Sequence, residues 1–167
     1  MAKSLCSVSD FSFETLVKLQ VKINELQEYF LFYKKYKSQF SDELNGDRIS
    51  PRKVFSSMAH RVIYVLYRSL FKDIENKTID PLTIDGFKEI KGIHDGLIEE
   101  IVDKDICHND KNSKTFKLLN VDSLLNNNGS SVIVQSYLSD DELERILNFL
   151  INKFLPKIQN TEIKVTR

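Results

Sequence analysis

The chain has 167 residues, enough for one domain with a sizeable core, and 41% apolar and 29% charged residues give it the balance of an ordinary globular protein. Its 24 basic side chains cancel 24 acidic ones, which excludes a global electrostatic footprint for nucleic acid and leaves only a local patch open. Two cysteines, Cys6 and Cys107, are too few for a disulfide scaffold or a four-cysteine zinc site; the longest apolar runs, VIYVLY and YFLFY, are too short to cross a bilayer, and MAKSLCSVSD lacks the apolar stretch of a secretory signal, so a cytoplasmic protein is expected.

In chain order, Leu16, Leu19, Ile23, Leu26, Phe30 and Tyr33 recur at three- and four-residue spacing and predict a long amphipathic helix over about residues 11–40. After NGDRIS, Ser50 and Pro51 stand as N-cap and first residue of a second helix reaching Asn76. Phe55, Met58, Val62, Leu66 and Ser69 fall on one of its sides and His60, Tyr64, Tyr67 and Phe71 on another, with a narrow polar stripe of Ser57, Arg61 and Arg68. A helix apolar over most of its circumference is expected to be central and covered on several sides. A third helix is predicted over about 84–106, with Phe87, Ile90, Leu97 and Ile101 on one face and three glycines, Gly86, Gly92 and Gly96, weakening it. Residues 109–137 read as irregular, with SVIVQSYL a short strand or extended stretch. The last helix opens on a capping box of Ser139 and Glu142, shows Leu143, Ile146, Leu147, Leu150 and Phe154 on its apolar face, and is predicted to end at Pro156. The expected fold is all-α: an antiparallel helical bundle of about four main helices, with a long loop-rich connection before the last. It forms one domain over 1–167, with its core in about 11–155 and a short polar C-terminal tail.

The order of these pieces carries a resemblance. VKLQVKINELQEYF is followed by VFSSMAHRVIYVLYRSLFKD, then by a helix running into ICHNDKN, then by LSDDELERILNFL. Over roughly residues 11–155 this pattern resembles the HEPN superfamily of small helical bacterial defence and toxin domains, and within it the AbiU-like abortive-infection subgroup. The resemblance implies a homodimer, with RNA, an antitoxin or another protein as partner. It also implies metal-independent RNA cleavage, in which a ribose 2′-hydroxyl attacks the adjacent phosphate. In that family an arginine precedes the active histidine by four to six intervening residues. Histidine titrates near neutrality and can move the proton, while arginine offers a rigid fork of donors to the phosphate.

The histidine that matches is His108, but Ile101, Val102 and Asp103 occupy the positions where the arginine should stand. Lys104 is the nearest cation, one residue too close, and a point charge rather than a bidentate clamp. Arg61 is the other candidate clamp, with Arg68 and Tyr64 as groove-lining residues and Asp105 and Asp110 as supports for the His108 ring. The altered motif favours a second expectation, a non-catalytic HEPN-like dimer that binds RNA or a partner protein. Asp103, Asp105, His108 and Asp110 also read as a metal cluster, but helical spacing points 103 and 105 in different directions, and no metal or cofactor is expected. His94 lies about 20 Å from His108 along a straight helix and cannot share a site with it. His60, among tyrosines, is expected to make a buried hydrogen bond, and Cys107 is read as structural.

Overall fold

The computed structural model describes residues 5–42, 50–72, 74–98 and 138–165. Its fold is all-α, with about four helices and almost no strand. Helix α1 spans Phe13–Tyr36, capped by Ser12, whose hydroxyl accepts the Thr15 amide. All six residues of the predicted stripe are buried, so the three- and four-residue spacing did report the core side of this helix. Helix α2 spans Pro51–Ser69, with Ser50 as N-cap and Pro51 in the first turn. It runs antiparallel to α1. Lys22 Nζ donates to the Ser69 carbonyl (3.3 Å), Tyr33 meets His60 edge-on (4.9 Å between centroids) and Arg52 Nε donates to the Phe40 carbonyl (2.9 Å).

The second helix stops well before Asn76. The chain turns at Leu70–Lys72 and makes a tight reversal in which Glu75 and Asn76 both have positive φ, bracketed by paired Ile74 and Lys77. Such φ values suit a hairpin turn and cannot continue a helix. The chain then passes beside its own N-terminal segment. Strands β1 (Leu5–Cys6) and β2 (Thr78–Ile79) form a two-stranded parallel pair that periodicity did not reveal.

The long third helix is also corrected. Pro81–Thr83 and Phe87–Glu89 are separate 3-10 turns, and α3 proper is Lys91–Asp95. Gly86 explains the break: its φ of 79° is left-handed, a conformation that stops a helix from passing through it. From Gly96 to Ile98 the backbone goes on as a π-helical turn; the rest of the expected run to residue 106 and the irregular stretch 109–137 lie outside the described residues.

The C-terminal rod consists of α4 (Asp140–Phe149), a wider π-helical turn over Leu150–Phe154 and α5 (Leu155–Val165). The Ser139–Glu142 capping box forms as expected. Pro156 does not end the helix. Its ring would clash with a regular preceding turn, and the π turn just before it supplies the extra room. The supposed polar tail is therefore helical, and Ile158 and Thr161 are buried in it. This rod lies antiparallel to α1, fastened by Tyr33 and Lys37 to Asp140, Lys34 to Glu144 and Gln20 to Glu162. Between α2, α3 and the rod sits an aromatic centre. Phe71 stacks on Phe154 (5.3 Å), and both Phe71 and Phe87 meet the His94 ring edge-on at 4.9 Å. No helix among the described residues is long and apolar enough to cross a membrane.

Candidate functional site

The described histidines are both core residues. His94 is 8% exposed and its Nδ1 lies 2.8 Å from the Tyr67 hydroxyl, inside the aromatic centre. His60 is 4% exposed, packed against Tyr33 and 3.5 Å from the Tyr64 hydroxyl, a long contact for a hydrogen bond. Burial disfavours the imidazolium and pushes each pKa from 6.5 down to about 4, more than nearby Asp140 (for His60) and Asp95 (for His94) can offset. Both rings are thus neutral at pH 7 and closed to substrate.

Tyr64 does not line a groove. It is fully buried, and its hydroxyl accepts the Leu138 amide hydrogen at 2.8 Å, anchoring the chain where it enters the last helix. Tyr64→Phe is expected to cost about 1–3 kcal/mol, because a part-buried amide loses its acceptor, while leaving any binding by the outer surface unchanged. Urea denaturation beside a binding titration checks both halves.

Arg61 is exposed and Arg68 half-buried, on the same side of α2, with Tyr64 turned inward between them. Of the polar stripe, Arg61 reaches the outer surface, while Ser57 and Arg68 are half-buried. Arg61 forms no ion pair with any described residue. His108, Lys104, Asp105 and Asp110 lie outside the described residues, as do Asp103 and Cys107, so no geometry brings Arg61 and His108 together. Among the described residues no group of three or more His, Cys, Asp or Glu side chains is placed to hold a metal.

What stands out instead is a surface. The described fold buries His60, Ile63, Tyr64 and Tyr67 of α2 and packs Phe55, Ala59 and Leu66 against the core, so α2 is covered on more than one side, but it leaves one strip open. Val54, Met58, Val62 and Val65 form an exposed stripe, and Met58 is 65% exposed. Phe55, half-buried, bridges this stripe to α1, stacking on Phe40 (4.4 Å) and lying 6.2 Å from Phe32. On α1 the stripe continues through Val21, Tyr29 and Phe32, the last 52% exposed. The α1 half was missed in the sequence, although the signal was present: Val21 and Phe32 are apolar residues that fall off the core stripe. At the far end of α1 an open groove of about 460 Å³ runs beside the Ile74–Glu75 turn, with Val17, Val21 and Lys22 along it.

No family model matches the chain, and neither a curated protein nor a solved structure matches it.

Proposed function

We propose that the protein is an HEPN-like, AbiU-like interaction module of bacterial defence or toxin–antitoxin type, working as a homodimer and docking through the outer face of the α1–α2 hairpin. One observation carries this reading: Val54, Met58, Val62 and Val65 stand exposed in a row on α2, beside Tyr29 and Phe32 of α1. A row of exposed apolar side chains on α2, with further ones on the neighbouring helix, is costly in water and marks a surface meant to be covered. The second reading, a metal-independent endoribonuclease, assigns His108 as general acid/base and Arg61 or Lys104 as phosphate clamp. The observation favouring it is that Arg61 is exposed and in no ion pair with a described residue. RNA and an antitoxin are the partners proposed for these two readings.

The test is RNA incubated with the purified chain in excess EDTA, beside His108→Ala and Arg61→Ala. The module reading expects intact RNA with all three proteins. Fragments ending in 2′,3′-cyclic phosphate, absent with His108→Ala, would replace it by the nuclease, and loss with Arg61→Ala would identify the clamp.

A further inference from the structure

The two helices that build the outer face carry opposite charges toward it. Helix α2 has Arg52, Lys53, Arg61 and Arg68 and not one carboxylate in its 19 residues. Arg52 is taken up by Asp42, and Arg68, half-buried, is already engaged, which leaves Arg61 as the arginine turned outward. Helix α1 brings exposed Glu25 and Glu28 to the face, beside Val21 and Phe32. Neither glutamate forms an ion pair with a described residue. The lysines of α1 nearest the face are engaged within the protomer: Lys18 pairs with Glu14 (2.6 Å), Lys22 with the Ser69 carbonyl (3.3 Å), and Lys35 lies over the Tyr36 ring at 5.2 Å.

We infer that this face meets the same face of a second copy, with α2 of each protomer lying on α1 of the other and Arg61 opposite Glu28. This rests on the interaction-module reading and specifies its partner. The pairing follows from symmetry. Two identical faces related by a two-fold axis lying across the helices set α1 on α1 and α2 on α2, which keeps the glutamates of α1 away from the arginines of α2. An axis running along the helices sets α2 on α1 and brings Arg61 toward the acidic side of α1. The antiparallel register, fixed where residue 22 meets 69 and 33 meets 60, puts Arg61 level with Phe32, one turn from Glu28. The same arrangement lays Met58 and Val62 on Phe32 and Tyr29 of the other copy.

The footprint is adequate. A 19-residue helix is about 28 Å long and two packed helices about 20 Å wide, so the corrugated face approaches the roughly 800 Å² per partner of a standard interface. Nucleic acid fits this face worse, because Glu25 and Glu28 would repel phosphate.

The experiment is sedimentation of the full chain over nanomolar to tens of micromolar concentration, with secondary structure checked by circular dichroism. The wild type is expected to sediment as a dimer. Arg61→Glu, and separately Glu25→Arg with Glu28→Arg, should each raise the dimer Kd at least about tenfold. Joining all three substitutions should bring it back toward the wild-type value, and Met58→Asp should leave a folded monomer. A monomeric wild type overturns the inference, as does a dimer insensitive to Met58→Asp, or a charge reversal that weakens pairing without rescue. RNA cleavage by a dimer with these signatures would end the module reading and keep the interface, whereas a monomer ends the interface and leaves the RNA result to decide the function.

Discussion

Lowering the pH from about 7.5 to 5 is expected to remove about 4 kcal/mol of folding stability, roughly 2 from each buried histidine. His60 and His94 titrate near 4 when folded and near 6.5 when unfolded, with burial the main cause in both. Between those values the unfolded chain binds two protons that the folded chain does not, so acid favours unfolding. Their contribution is complete above about pH 6.5, falls as the pH drops below it, and is spent near pH 4. The charges that face them do not reverse this sign. Asp140, approached by Tyr33 and Lys37, leans toward the His60 imidazolium, as Asp95 does toward that of His94, while Lys37 near His60 and Lys72 and Lys91 near His94 oppose it. For a domain with a typical 5–15 kcal/mol of stability, a loss of this size brings acid unfolding within reach. Urea titrations at the two pH values measure it directly. His94→Gln, whose amide can still accept from Tyr67, should halve the pH dependence whatever it costs at pH 7.5. Equal stability at the two pH values would show that the rings are not held neutral by burial.

Phe71→Ala is expected to destabilise the fold by about 3–5 kcal/mol, as large-to-small changes of buried phenylalanine do. Phe71 is 1% exposed and touches Tyr67, His94 and Phe154, so its removal opens a cavity shared by α2, α3 and the C-terminal rod. Phe32→Ala provides the contrast. Phe32 is the same residue type on a helix of the same bundle, but half of it faces solvent, and its loss should change monomer stability by no more than about 1 kcal/mol. Thermal or urea unfolding of the two variants at low protein concentration, where no dimer contributes, separates structural from docking aromatics. If Phe32→Ala costs as much as Phe71→Ala, the outer face is part of the protomer's own core and is not an interaction surface.

Much of the architecture was legible because the strongest signals are local. The α1 stripe, the Ser50–Pro51 start of α2 and the Ser139–Glu142 capping box each rest on residues within one or two turns of one another. Errors came where local signals had to be weighed against context. The left-handed Gly86 and the positive φ of Glu75 and Asn76 divide what periodicity joined. The π turn before Pro156 joins what the proline rule divided. On α2, apolar residues all round the helix gave no means of telling the side that packs inward from the side left exposed. The tyrosine and histidine side is the buried one, because Tyr67 meets His94 and Tyr64 meets the Leu138 amide, partners far away in sequence. The same long-range bonds turned Tyr64 from a candidate groove residue into a structural anchor, and left Arg61 as the only one of the three predicted catalytic residues within the described fold.

The most direct measurement is the rate at which peroxide oxidises Met58 as the protein is diluted. Met58 stands 65% exposed in the middle of the α2 stripe, so a single protomer should react at nearly the rate of free methionine. Pairing through this face covers it, and the rate should fall at least about tenfold as concentration rises through the dimer Kd. Met58→Leu supplies the background by mass spectrometry. A rate near that of free methionine at every concentration would contradict a face that is closed by a second copy.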